Sequence, residues 1–138
     1  AAGLAEGKGQ PGDGVNLSPH LTGQDTLPPH HQLFWRRDAM AAMRSGDWKL
    51  IRVEGLGHRL YDLSIDLGEV SDLSGEFPDQ LKTMQDALIA WDNEMTMPWW
   101  YEGEDWNQVT YETHRALMEN EEPAFRNPTQ MRRHEASR

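Results

Sequence analysis

Cysteine is absent from this chain of 138 residues, which excludes disulfides, thiolate metal sites and a thiol nucleophile. The absence leaves the redox compartment open, since an exported bacterial protein can equally lack cysteine. Basic side chains are scarce: 13 Lys and Arg stand against 23 Asp and Glu, a net charge of −10. That charge opposes phosphate backbones and anionic lipid, so neither nucleic acid nor a membrane surface is expected as a partner. No apolar run approaches the roughly 20 residues that span a bilayer. The start, Ala1-Ala2-Gly3-Leu4-Ala5, has no initiating Met, basic n-region or apolar h-region, and reads as an internal or processed end.

Several catalytic signatures are also missing. No G-x-S-x-G nucleophile elbow and no phosphate loop occur. Gly7-Lys8-Gly9-Gln10-Pro11-Gly12 has the outline of a glycine-rich loop, but with no strand before it and no helix after it, it reads as a turn.

What is present suffices for one core. The hydrophobic share is 37%, with six Trp and seven Met, and the length suits one domain at about 150 residues per domain. Six Gly and four Pro within residues 1–31 forbid long regular elements there, so this stretch is expected to be a connector. In it, Val15, Leu17 and Leu21 suggest a short apolar anchor, with one helical turn near Ser18.

From Gln32 the texture changes to that of strands. Leu33-Phe34-Trp35 predicts a first strand. Met40-Ala41-Ala42-Met43-Arg44 and Trp48-Lys49-Leu50-Ile51-Arg52-Val53 predict a hairpin around the loop Ser45-Gly46-Asp47. In its second arm, Trp48, Leu50 and less regularly Val53 are expected on a buried face, with Lys49 and Arg52 on a wet one. A turn at Gly55-Leu56-Gly57 and a fourth strand over 58–63 complete an antiparallel meander. Leu81, Met84, Leu88, Trp91 and Met95, spaced 3 and 4 apart, then predict one apolar stripe on a helix over 78–96 that covers the sheet. The fold class is α+β: a small four-stranded antiparallel sheet under one amphipathic helix, between a Gly/Pro-rich connector and a loose acidic extension. Residues 102–138 are expected to be partly helical or disordered, with a helix between Asn107 and Asn120 and a frayed end.

Chemistry is thinly marked. His30 and His31 are neighbours that point opposite ways in extended chain and do not converge on one metal with His20. The clusters Glu102, Glu104, Asp105 and Glu119, Glu121, Glu122 lack the spacing of a calcium loop and read as solvated faces. Trp99-Trp100-Tyr101 suits a stacking platform for sugar rings, or else aromatics tucked under the helix. Arg36 and Arg37, beside Trp35, could bind an anion through their guanidinium forks, or could pair with acids at a strand end.

Three segments in this order resemble the C-terminal subdomain of the type I, formylglycine-dependent sulfatase family, within the alkaline phosphatase-like superfamily. They are Asp13-Gly14-Val15-Asn16-Leu17-Ser18-Pro19-His20-Leu21-Thr22-Gly23, Met43-Arg44-Ser45-Gly46-Asp47-Trp48-Lys49-Leu50-Ile51, and the run from Leu60-Tyr61-Asp62-Leu63 through Gly68-Glu69 to Asp72-Leu73. The resemblance covers roughly residues 1–100, departs at Leu67 where the family usually has Pro, and has no counterpart after Tyr101. It implies a connector over 1–31 leaving a catalytic domain outside this chain, a C-terminal subdomain over 32–101 and an extension over 102–138. It also implies that calcium and formylglycine belong to that catalytic domain. No Ser here begins the [Cys/Ser]-x-Pro-x-Arg motif, and no Asp-Asp pair occurs. Hydrolysis of a sulfate ester needs an activated nucleophile, a divalent cation and cationic groups around the developing charge. The chain is therefore expected to be part of a sulfuric-ester hydrolase, inactive alone and without catalytic or metal-ligating residues of its own. Trp35, Arg36 and Arg37 become candidates for the substrate-cleft wall. The expected partners are the catalytic domain and a sulfated carbohydrate, and the expected location is periplasmic or secreted. The alternatives are a carbohydrate-binding module using Trp99, Trp100 and Tyr101, and a structural module that forms homo-oligomers through the sheet.

Overall fold

The computed structural model describes residues 14–37, 39–96, 99 and 103–138. Gly7 to Gly12, Pro98, Trp100, Tyr101 and Glu102 lie outside the described residues. The chain divides into two units, Ala1–His31 and Gln32–Arg138.

In the first unit, the helical turn expected near Ser18 is α1, Ser18–Leu21. Asn16 Oδ1 accepts the Ser18 N–H at 3.0 Å, and Thr22 Oγ1 closes the turn on the Ser18 carbonyl at 2.9 Å. The apolar anchor expected here is not buried: Val15 and Leu17 are half-exposed and Leu21 is exposed.

The second unit carries the meander β1 (Gln32–Arg37), β2 (Met40–Ser45), β3 (Trp48–Val53) and β4 (Gly57–Asp62), paired in that order and antiparallel throughout. The β2–β3 loop is tighter than expected. Ser45 pairs directly with Trp48, leaving two turn residues, and Gly46 takes the left-handed φ of 59° that this turn requires. Helix α2, Pro78–Glu94, opens on Pro78, whose missing N–H costs nothing in the first turn. It ends a residue before Met95, whose backbone is extended.

The register sorts side chains into two faces. Phe34, Met43, Leu50 and Leu60 stand in one row, and with Ala41 they meet Met84 and Leu88 of α2. Leu81 and Trp91 flank this core, and the Trp91 indole stacks on Phe34 with centroids 5.2 Å apart and planes 10° from parallel. Five of these side chains, Met43, Leu50, Leu60, Met84 and Leu88, are fully buried. Leu81, Met84, Leu88 and Trp91 of the expected stripe thus cover the sheet, whereas Met95 lies past the end of the helix and is exposed.

Two expectations are corrected. Arg52 lies on the α2 face with Trp48 and Leu50, whereas Val53 lies on the opposite face with Lys49 and Ile51, because strand side chains alternate strictly. Arg52 tolerates the helix-covered side because its guanidinium reaches Asp92 of α2 at 2.7 Å. The end of the chain is not frayed: α3 spans Glu104–Met118 and α4 spans Pro128–Ala136. Helix α3 closes with Asn120 left-handed, Glu121 N–H on the Ala116 carbonyl at 2.7 Å and Asn120 N–H on the Leu117 carbonyl at 3.2 Å. Asn127 Oδ1 caps α4 by accepting the Gln130 N–H at 2.9 Å, and Met131 joins Val109 and Phe125 in a small second core.

Candidate functional site

The sheet face away from α2 is apolar as well. Strict alternation puts Trp35, Ala42, Ile51 and Tyr61 there, and the end of α3 with the turn at Val70 rises beside them. Between these walls runs a groove of about 910 Å³. Arg59 Nε donates to the Met118 carbonyl at 3.4 Å and Asn120 Nδ2 to the Val70 carbonyl at 3.2 Å, which fixes the wall to the sheet and loop.

Of the three residues singled out from sequence, Trp35 and Arg37 stand on this face, and Trp35 is half-exposed. Arg36 also borders the groove, but its side chain leaves on the opposite face. Its guanidinium turns to α2, donating to Asp92 Oδ1 at 2.8 Å and to the Thr96 carbonyl at 2.9 Å, the paired arrangement rather than the anion-binding one.

Sequence reasoning passed over the other groove residues. Lys49 Nζ donates to Glu69 Oε1 at 2.5 Å, so these two charges of the lining satisfy each other. Tyr61 is 4% exposed, and its hydroxyl makes no hydrogen bond with any described residue. Burial first, and then the nearby Asp72 carboxylate, raise its pKa above the ordinary phenol range. His114 of α3 also borders the groove, and burial, with Arg37 beside it, lowers its pKa. The sequence did hold a signal for this face: Ile51, Val53 and Tyr61 make the odd-numbered rows as apolar as the even-numbered ones.

The remaining candidates separate. Arg115 holds Glu112 in a two-pronged contact at 2.9 and 3.0 Å and also contacts Glu119 and Glu121, while Arg126 pairs with Glu122 at 2.6 Å. Asp105 accepts from Arg132 at 3.1 Å. The acidic clusters are therefore largely bound by arginines of the same helices and their neighbours. Trp99 is 91% exposed and does not tuck under α2. His20 and His31 border one hollow of about 250 Å³ within the connector, and among the described residues no group of three His, Asp or Glu side chains is placed to hold a metal ion. The chain matches no family model and no curated protein.

Proposed function

We propose that this chain is the C-terminal part of a formylglycine-dependent sulfatase, completing the fold and bordering the substrate cleft while nucleophile and calcium belong to a catalytic portion outside it. The observation that supports this reading is that two of the three segments carrying the resemblance, the hairpin and the run from Leu60 to Leu73, lock onto one another. Leu63 N–H donates to the Asp47 carbonyl at 2.8 Å, which ties the fourth strand's exit to the hairpin tip. Asp72 Oδ1 accepts the Leu60 N–H at 3.0 Å, Leu73 N–H returns to the Leu60 carbonyl at 2.8 Å, and Lys49 reaches Glu69. Asp66, between them, accepts the N–H groups of Val70 and Ser71 at 2.9 and 2.8 Å. Acidic residues of this run thus serve as turn and strand anchors, a fold-completing role that needs no catalytic groups here.

On this reading Trp35 and Arg37, on the open sheet face, form the cleft wall, and Arg36 secures the helix behind it. The 91% exposure of Trp99 favours a second reading, a sugar-stacking module. The decisive experiment is to sequence the gene upstream of the Ala1 codon and assay the natural protein with 4-nitrophenyl sulfate. A formylglycine motif in frame and sulfate release support the sulfatase reading. An open frame of several hundred codons without the motif overturns it. Saturable quenching of Trp emission by neutral oligosaccharide, lost in Trp99→Ala, would then carry the second reading.

A further inference from the structure

From the outer edge of β1 we infer that two copies of this chain join through their β1 strands, antiparallel and with Phe34 opposite Phe34 of the second copy, into one continuous sheet. The row Phe34, Met43, Leu50 and Leu60 fixes which way the edge groups point. Leu60 donates its N–H to Asp72 and accepts from the Leu73 N–H, so its backbone bonds turn away from Leu50. In antiparallel ladders bonded and non-bonded pairs alternate, and a residue that bonds to one neighbouring strand does not bond to the other. Leu50 therefore bonds to Met43, and Phe34 turns its N–H and C=O outward, as Gln32 and Arg36 do by alternation. None of these outward backbone groups has a partner among the described residues. The two edges of the sheet thus differ, since Asp72 and Leu73 close β4 at Leu60 while β1 keeps a row of unpaired donors and acceptors.

Those groups call for an extended strand, and β1 is complementary to itself. Helix α2 packs chiefly over β2 and β3, and β1 contains no Pro, Gly or bulge that would turn a strand away. With Phe34 on the two-fold axis, Leu33 of each copy faces Trp35 of the other on the open face. These side chains are 40% and 48% exposed, and apolar pairs directly across strands stabilise a sheet. Gln32 then faces Arg36, whose charge Asp92 already meets, so no two arginines oppose. Other registers that keep the faces aligned lose both Leu–Trp pairs, and one sets Arg36 against itself. One strand pair buries less than the roughly 1,200 Å² of a stable complex, so the dimer is expected to be weak and concentration-dependent. The inference goes beyond the sulfatase reading, which concerns the sheet face and assigns nothing to this edge.

Sedimentation of the intact chain should show the mass moving from one chain toward two between about 10 μM and 1 mM. Gln32→Pro removes one outward donor from each copy and leaves the β1–β2 ladder whole, so it should weaken the dimer about ten-fold with unchanged circular dichroism. Because the chain has no cysteine, single replacements report the register. Leu33→Cys mixed with Trp35→Cys should form an interchain disulfide faster under mild oxidant than either variant alone. This measurement decides the matter if Gln32→Pro does not fold. A mass of one chain throughout the range overturns the proposal, as does a dimer that folded Gln32→Pro leaves unchanged, or cross-linking that favours like variants over the mixture.

Discussion

The Arg36 guanidinium and the Asp92 carboxylate, 56 positions apart in the chain, meet at 2.8 Å where α2 crosses the sheet. Arg52 closes on the other carboxylate oxygen at 2.7 Å, so one acid ties two strands to the covering helix. All three side chains are about one-fifth to one-quarter exposed, between a surface pair, which contributes little, and a buried one, whose rupture strands a charge. Asp92→Ala leaves two guanidinium groups facing each other and should cost about 1–3 kcal/mol in urea unfolding. Lys82→Ala, which removes an exposed pair within α2, should shift stability by less than about 0.5 kcal/mol. Equal effects from the two would show that Asp92 is no clasp.

The same clasp sets a pH dependence. Hydrogen bonds from Arg52 and Arg36 hold the Asp92 carboxyl below its ordinary value, and those from Arg115 do so for Glu112. A depressed carboxyl contributes stability above its unfolded pKa of about 4 and loses it as pH falls through the folded value. His58 and His114 are depressed mainly by burial, so protonation should begin to favour the unfolded chain as pH drops below about 6.5. Urea midpoints should therefore fall in two stages, a shallow one below pH 6.5 and a steeper one below pH 4. Asp92→Asn should lessen the second stage alone, leaving the share of Glu112, and His114→Gln should lessen the first, leaving the share of His58. A midpoint that rises between pH 7 and 5 would contradict the histidine assignment.

Gly46 offers a local test. Its φ of 59° lies in the left-handed region, and a methyl added there would meet no atom within 4 Å. Gly46→Ala should therefore cost only the backbone strain, about 1 kcal/mol. Gly75, also open to a methyl but with no left-handed φ, should accept Ala with no loss. A neutral Gly46→Ala would mean that the turn does not need the left-handed residue.

Periodicity explains why some elements could be read from sequence and others not. The meander and the start of α2 at Pro78 followed from alternation over 48–53 and from the 3-and-4 spacing of Leu81, Met84, Leu88 and Trp91, since those patterns repeat the geometry of strand and helix. The face of Arg52 could not be read, because its partner lies 40 residues away and a lone arginine in a strand defaults to solvent. The groove escaped notice because its parts come from β2, β3, β4, the Val70 turn and α3, none of which marks a site alone. Helix α4 had a local signal in Asn127-Pro128-Thr129-Gln130, a cap followed by proline in the first turn. Charge-rich composition after Met131 masked it.

That helix gives the sharpest test of the chain's end. Met131 is 3% exposed and packs with Val109 and Phe125, while Arg132 reaches Asp105 on α3. This core is small and separate from the cluster under α2, so its loss should be felt locally. Met131→Ala should cost about 1–3 kcal/mol of protection for the α4 amides in hydrogen exchange. It should leave the amides of Leu50 and Leu60, in the larger core, nearly unchanged. Ending the chain at Arg126 should expose Val109 and Phe125 and abolish protection over the first two turns of α3, where Asp105 and Val109 meet α4. A frayed tail would give no protection over 128–136 and no change on truncation. The cap at Asn127 separates the two outcomes further, because Asn127→Ala removes only the bond to Gln130 and should lower α4 protection by about 1 kcal/mol while Met131 stays in place.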